Sequence, residues 1–534
     1  MASSAASLAE KLSLNDPVLP ALAPGDRPGR IRLIAIGAVS GVLYALAFPG
    51  RGIWPLALVA FVPALLVARR ATARQALLAG VAAGVASHLL AYSWIVHLLR
   101  VFAGAPIPLA LLGYVALVFA QGASYGVGLG LAQWLRQRTR WPYALCLAVG
   151  LTAMDFVYPL LFPSYIADSL FGATWLVQSA DLWGVLGLTA FVGAVNGGIV
   201  DLLAARLDRR PFPIRTAISV GALLVLLTGY GALRTQQIDR EVRSAPKLKV
   251  GLVQVNVGGF ENTEGTQATL DRYLRATKKL HDAGAQLVVW PEGALRRIVY
   301  LGDDVRDGVL EGLAQPLLFG AERIDRGPHG VRYYNSAFLE DQSGTVTSSY
   351  DKHDLLAFGE YIPGGGWFPQ LYRWFPTGHF SRGRSTKPLV LGDWRMGTFI
   401  CYEDILPRFV QGILGATNGK RPNLMVNVTN DSWYGHTVEP MEHLALATFR
   451  SIEHRRELVR STNTGISAFV DPAGRITART HRDEAETLMR EVPRMEGSTV
   501  YEHLGDFLGW ISLLVLAGVF LRTTVCPRLR PRKA

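Results

Sequence analysis

Arg395-Met396-Gly397-Thr398-Phe399-Ile400-Cys401-Tyr402-Glu403-Asp404 decides how the C-terminal half of this chain is read. Its first six residues form an apolar, strand-like run, and the cysteine stands where that run ends. Upstream, the run Leu287-Val288-Val289-Trp290 closes on Pro291-Glu292, and Tyr350-Asp351-Lys352-His353 follows. A strand-end carboxylate, a lysine and a cysteine in that order suggest one nucleophilic site. The thiolate attacks, the carboxylate takes its proton, and the ammonium steadies the oxyanion. The chain holds three cysteines, and Cys146 and Cys526 fall in or beside long apolar runs. Cys401 is therefore the candidate nucleophile of its type in a polar region.

Half of the 534 residues are hydrophobic, and the formal net charge is +12. Such a charge suits nucleic acid when the arginines share a face. Here many arginines flank apolar runs, a placement that membrane topology explains better. Up to about residue 235 the chain is a series of apolar runs near the ~20 residues that cross a bilayer. They cover 31–48, 53–68, 76–99, 108–135, 142–162, 183–205 and 217–233. Pro55 and Pro63 weaken the outline of the short second run. An eighth run, 507–521, precedes a basic tail.

Arg69, Arg70 and Arg74 follow run two; Arg136, Arg138 and Arg140 follow run four; Arg206, Arg209, Arg210 and Arg215 follow run six. Runs one and three are followed by Arg51 and Arg100 alone, and run five by none. The alternation predicts a polar cytoplasmic tail (1–30), a seven-span bundle (31–235), an extracytoplasmic domain (247–497), an eighth span (506–522) and a cytoplasmic tail (523–534). The first thirty residues lack a signal-peptide core, so the first span is expected to direct targeting.

From 247 to 497 short β-rich runs alternate with polar turns. Strands are expected at 248–255, 286–290, 316–319, 333–339, 395–400, 423–428 and 465–470, and helices at 267–283 and 442–459. This is an α/β pattern. The order Glu292, Lys352, Cys401 comes with Phe358-Gly359-Glu360-Tyr361-Ile362-Pro363, Asn430-Asp431-Ser432-Trp433-Tyr434-Gly435 and Thr462-Asn463-Thr464-Gly465. Together these resemble the nitrilase, or carbon–nitrogen hydrolase, superfamily. Joined to the spans, and with Gln178-Ser179-Ala180-Asp181-Leu182-Trp183-Gly184-Val185 through Asn196, nearly the whole chain is similar to the apolipoprotein N-acyltransferase family.

The resemblance implies a nitrilase-like αββα sandwich on a membrane α-helical bundle of about eight spans. It implies Cys401 as nucleophile, Glu292 as general base, and Lys352 with the Tyr402 N–H as oxyanion stabilisers. Glu360 is implied as the second glutamate, orienting the lysine or assisting proton transfer, with Tyr402 and Glu403 in the pocket wall. The implied reaction takes an acyl chain from a membrane phospholipid, through a Cys401 thioester, to the α-amino group of a diacylated apolipoprotein. Its implied place is the bacterial inner membrane, with the catalytic domain on the periplasmic side. The chain departs from the family's pattern at Asp354 and Ala357, at Glu439 and Glu442, and around Phe260. Donor headgroup, acyl preference and acceptor range are left open by these departures.

Taken alone, a cysteine at a strand end is more often a small buried hydrophobe than a nucleophile, and Lys352 reads as one more exposed lysine. Trp433 fits a substrate cleft or a structural core equally. The aromatics Trp367, Phe368, Leu371, Tyr372, Trp374 and Phe375 crowd one predicted loop. They fit ordinary packing, or a substrate-admitting lid that dips into the headgroup region. His353, His436, His443 and His454 have no metal-type spacing, and no phosphate-binding glycine loop precedes a helix. No metal, nucleotide or other cofactor is expected. A membrane-anchored amidase shares the triad without needing eight spans. A transporter would carry more ionisable residues in its spans than Asp155 and His88.

Overall fold

The computed structural model describes residues 27–101, 103–257, 265–304, 309–310, 312–327, 330–357, 359–362, 364–365, 367–368, 370, 380–415 and 421–524. Phe260, Phe358, Pro363, Trp374 and both chain ends lie outside the described residues. The chain divides into two compact units. One draws on residues 1–93, 114–232 and 506–534, the other on 94–113 and 233–505.

Among the described residues six helices are long and apolar enough to cross a membrane. They are Arg30–Ala47, Ala73–Ala91, Ile107–Thr139, Val177–Leu207, Ile214–Ser244 and Phe507–Thr524. Two further apolar stretches, Trp54–Ala68 and Tyr143–Val157, are shorter than the expected spans. The first is a 3₁₀ turn, Trp54–Leu58, followed by a short helix, Val62–Ala68, each with proline at its start. Proline lacks the N–H that would carry one helix through both pieces. Asn196 compensates: its side chain accepts from the Phe61 N–H at 2.9 Å and donates to the Ala57 carbonyl at 2.8 Å. A broken backbone is tolerated at membrane depth only with such internal partners. Tyr143–Val157 stops because Tyr158, which precedes Pro159, is extended (ψ 125). Asp201 caps its other end, accepting from the N–H groups of Tyr143 and Ala144 at 3.0 and 3.1 Å. The expected third run is also cut short. Its helix ends at Ala91, and Trp94–Gly113, which contains the helix Ile95–Val101, belongs to the second unit.

The strands of the second unit are, in chain order, β1 Lys247–Gln254, β2 Leu287–Val289, β3 Leu295–Ile298, β4 Leu317–Gly327, β5 Gly330–Glu340, β6 Val346–Asp351 and β7 Leu389–Leu391. They continue as β8 Trp394–Ile400, β9 Leu424–Thr429, β10 Leu458–Thr462, β11 Ala468–Val470, β12 Ile476–Arg479 and β13 Glu486–Pro493. One sheet runs β13-β1-β2-β4-β5-β6, with β3 paired to β4; the other runs β12-β11-β10-β9-β8-β7. Val250, Leu252, Leu339, Ile400, Val426 and Phe469 fill the layer between the sheets. Val253, Tyr273, Leu280, Trp290 and Phe319 fill the layer where the helix Gly265–Asp282 covers the first sheet. The helices Pro407–Leu414 and Glu439–His454 pack Val410, Ile413 and Leu444 onto the outer face of the second sheet. This is the four-layer αββα sandwich. Full burial of each such side chain stabilises the fold by about 1.5–3 kcal/mol.

The expected helix 442–459 is two elements. It ends at His454 because Arg455 adopts a left-handed backbone (φ 52), and β10 follows. No glycine or proline marks that stop, so nothing local announces it. The central parallel pairs β8–β9 and β9–β10 place the C-terminal ends of those three strands side by side.

Candidate active site

Cys401 is the first residue after β8 and the first of a 3₁₀ turn, Cys401–Ile405. Its backbone is left-handed (φ 57), a conformation that costs a non-glycine residue about 1–3 kcal/mol. Such a turn at a strand end projects a nucleophile out of the sheet. Glu403, two residues on, is fully buried and pins the turn. Its Oε2 accepts from the Ile400 N–H (2.8 Å) and the Tyr350 hydroxyl (2.8 Å). Its Oε1 accepts from the N–H groups of His353 (2.7 Å) and Asp354 (3.0 Å). Glu403 therefore ties the cysteine turn to the segment just after Lys352.

Lys352 ends the β6 ladder, its own N–H donating to the Asn335 carbonyl of β5 at 2.9 Å. Its ammonium is buried, 2.9 Å from Glu360 and 3.5 Å from Glu292 Oε1. Burial opposes that charge, but Glu360, Glu292 and the Cys401 thiol hold the Lys352 pKa well above the ordinary lysine range. Glu292 follows β2 in a turn that lies against β4. A Cβ on Gly320 would stand 2.7 Å from the Glu292 Cα, so only glycine lets the two backbones approach. Asn335 Nδ2 donates to Glu292 Oε1 at 2.7 Å and to Glu360 Oε1 at 3.0 Å. Glu292 Oε2 has no hydrogen-bond partner among the described residues. Burial raises the Glu292 pKa, with Lys352 pulling it down and Glu360 pushing it up. Burial likewise pushes the Cys401 thiol well up, joined by Glu292 and opposed by Lys352. At rest the sulfur keeps its proton, and Glu292, whose charge acts on it, has one oxygen without a hydrogen-bond partner among the described residues.

Glu360 Oε2 also accepts from the Leu356 N–H at 2.8 Å, which folds the 356–360 loop around its own carboxylate. The Tyr402 ring lies 5.9 Å from the Lys352 ammonium. Trp433 is half-buried and Trp367 is 86 % exposed, with Phe368 beside it 62 % exposed. Both tryptophans are among the described residues. Trp374 is outside them.

Three features had no reading in the sequence. Asn335, which bridges both glutamates, is one of several polar residues in its strand. Trp94, in a stretch read as membrane span, donates from its indole N–H to Glu442 at 3.0 Å and meets the Tyr434 ring edge-to-face at 5.2 Å. Asp431, Glu439 and His443 gather with ligand atoms within 4.8 Å of one another. Spacing among histidines alone did not reveal that group, because two of its three members are carboxylates. Asn427 and Arg460, fully buried inside β9 and β10, were visible only as polar residues interrupting apolar strands.

A family model described as the apolipoprotein N-acyltransferase N-terminal domain matches residues 40–198, and one described as carbon–nitrogen hydrolase matches residues 316–500. Lys352, Glu360 and Cys401 fall inside the second match and Glu292 before it. The apolipoprotein N-acyltransferase of Geobacter metallireducens is 31 % identical over 521 residues, covering 93 % of this chain and 97 % of that protein. That of Azotobacter vinelandii is 32 % identical, covering 93 % and 95 %. That of Caulobacter vibrioides is 30 % identical, covering 91 % and 93 %. Among solved structures, an amidase from Nesterenkonia sp. aligns at 20 % identity with a TM-score of 0.33, over 48 % of this chain and 94 % of its own. With relatives above 30 % identity that align almost end to end, on a helical unit joined to an αββα sandwich, this chain belongs to the apolipoprotein N-acyltransferase family.

Proposed function

We propose that this protein transfers an acyl chain from a membrane phospholipid to the α-amino group of a diacylglyceryl-cysteine at a lipoprotein N-terminus, through a thioester on Cys401. The observation that carries the reading is the Glu292 carboxylate, held on one oxygen by Asn335 and near Lys352, with the other oxygen free among the described residues.

In the first half-reaction Glu292 takes the Cys401 proton as the sulfur bonds to the ester carbonyl carbon. The ester C–O bond breaks, and Glu292 returns the proton to the departing lysophospholipid oxygen. In the second, the neutral amine bonds to the thioester carbon, the C–S bond breaks, and Glu292 relays the surplus amine proton to the Cys401 sulfur. Each tetrahedral oxyanion is met by the Lys352 ammonium and the Tyr402 N–H. Glu360 and Asn335 hold Lys352 and Glu292 in place. The arginine alternation supports a catalytic unit on the extracytoplasmic face, where exported lipoproteins are found. Exposed Trp367 and Phe368 suit contact with the lipid interface and entry of acyl chains.

Incubation of the purified protein with acyl-labelled phospholipid tests this. A mass increase of one acyl chain on Cys401, removed by hydroxylamine and discharged by a diacylated lipopeptide, is expected. Release of free fatty acid with no transfer to the lipopeptide would make the protein a hydrolase instead. For orientation, single cysteines introduced at exposed sites of 247–497 should react with an impermeant thiol reagent in intact cells, while ones beside Arg138 or Arg210 should not. The reverse labelling would overturn the assignment.

A further inference from the structure

A second buried charged group lies behind the cysteine turn, and none of its members has a role in the reaction described above. Arg460, fully buried in β10, donates from Nη1 to Asp404 Oδ2 at 2.8 Å and from Nη2 to Asp431 Oδ2 at 3.3 Å. His443, buried on the helix Glu439–His454, faces the other oxygens of the same carboxylates. Its Nε2 is 3.1 Å from Asp404 Oδ1 and its Nδ1 is 3.3 Å from Asp431 Oδ1. Each of the four carboxylate oxygens thus meets one cation. The four side chains close a ring of alternating charge, Asp404–Arg460–Asp431–His443. Burial and Arg460 oppose the imidazolium, yet Asp404 and Asp431 raise the His443 pKa to about 9, so both ring nitrogens donate at neutral pH.

The ring reaches the cysteine by two routes. Asp404 lies in the same 3₁₀ turn, three residues after Cys401. Arg460 Nη1 also donates to Asn427 Oδ1 at 3.0 Å, and Asn427 Nδ2 donates to the Cys401 carbonyl at 2.9 Å. That carbonyl belongs to the residue with the left-handed backbone. Left unsupported, a strained residue relaxes toward ordinary φ and carries its side chain with it. Gly465 adds to the enclosure. A Cβ there would stand 2.5 Å from Asp431 Oδ2, so the turn after β10 lies directly against the ring.

The neighbouring Glu439 makes Asp431, Glu439 and His443 a possible cradle for a cation. The chemistry of the donors argues against it. Arg460 already faces Asp431, and a metal would have to replace the His443 proton beside that guanidinium. Burial and the Asp431 charge hold the Glu439 carboxyl well above the usual range, which disfavours it as an anionic ligand.

We propose that Asp404, Arg460, Asp431 and His443 form a closed ionic ring that, through Asn427, fixes the Cys401 carbonyl and holds the nucleophile in its left-handed conformation. These are positioning residues: the ring acts through Asn427, which donates to the Cys401 carbonyl, and not on a reacting atom. The proposal rests on the reading of Cys401 as the nucleophile.

Asn427→Leu tests it, because leucine keeps the volume and removes the donor to Cys401. Arg460→Lys is the second variant, keeping the charge and losing the fork that serves Asp404, Asp431 and Asn427 together. The readout is the single-turnover rate of Cys401 acylation as a function of phospholipid concentration, with melting measured in parallel. A misplaced nucleophile lowers the maximal rate by about 10- to 10²-fold and leaves the half-saturating phospholipid concentration unchanged. Arg460→Lys should lose less than Asn427→Leu. Wild-type maximal rates in folded variants would overturn the proposal, as would a fall that tracks melting and half-saturation together. If Asn427→Leu does not fold, Arg460→Lys carries the same comparison. If wild-type protein forms no adduct at Cys401, the reading of the nucleophile fails first, a result distinct from normal acylation in the variants. Added EDTA or zinc should leave the wild-type rate unchanged; a metal-dependent rate would replace the ring by a cation site.

Discussion

Two groups of buried charge meet at Cys401, one bearing on its thiol and one on its carbonyl, and they are built on opposite plans. Around Lys352 one cation faces two carboxylates, and Glu292 keeps an oxygen without a partner among the described residues. Around Arg460 two cations face two carboxylates, and every carboxylate oxygen is matched. The open group retains a proton acceptor at the cost of an unsatisfied buried atom. The closed group leaves no oxygen of Asp404 or Asp431 unmatched and holds its surroundings rigidly. Proton transfer needs the first arrangement, and keeping a strained residue in place needs the second.

The largest effect should come from the thiol itself. Cys401→Ser is expected to fold and give no hydroxylamine-sensitive adduct by intact mass; an adduct at the wild-type level would move the nucleophile elsewhere. Glu292→Gln keeps the Asn335 contact available but removes the base. Its acylation rate should drop by about 10²-fold or more, with melting nearly unchanged. A near-normal single-turnover rate would remove Glu292 from the chemistry and leave the open group merely structural.

The closed group should show the reverse. Arg460→Met leaves Asp404 and Asp431 with His443 alone and should cost roughly 3–5 kcal/mol of stability, read by denaturant unfolding. A loss under about 1 kcal/mol would mean the ring does not close in solution.

His443 adds a pH signature. Its folded pKa is raised from 6.5 to about 9, so its proton stabilises the fold fully below about 6.5, and that contribution is lost as pH rises through about 9. Between those limits wild-type melting should fall more steeply than that of His443→Gln, by an amount on the order of 3 kcal/mol. Parallel curves would show that the imidazole is neutral throughout. The smallest effect is expected far from both groups. Trp367→Ser with Phe368→Ser should slow acylation from bilayers by roughly a few-fold. Alkylation of Cys401 by a small soluble reagent should be unchanged. If both reactions slow together as melting falls, these aromatics are core.

What the sequence disclosed divides along similar lines. Glu292, Lys352 and Cys401 stand at strand ends beside short motifs, so one pass along the chain finds them, and the fold brings Lys352 beside Glu292 and Glu360. Asn335, Asn427 and Arg460 lie inside strands, and their partners are 43, 26 and 56 residues away. Sheet order creates those pairs, and no local spacing encodes it. The α/β pattern was legible from short apolar runs, and the sandwich from the family resemblance alone. Its second sheet was blurred where Arg455, without glycine, ends a helix that propensity would continue. In the helical unit, hydropathy found every apolar stretch but not its length. Proline shortened two of them, at Trp54–Ala68 and Tyr143–Val157, and the third helix stopped at Ala91.

That early stop has a practical side. Trp94 belongs by compactness to the catalytic unit, and through Tyr434 and Glu442 it braces the elements that carry Asp431 and His443. A soluble fragment cut at Lys247 would strip that brace away. The catalytic half is thus not a detachable module, and screens run on such a truncation would score a different protein. Loss-of-function changes between Trp94 and Leu99, which a hydropathy plot assigns to membrane insertion, are better read as defects of the enzyme.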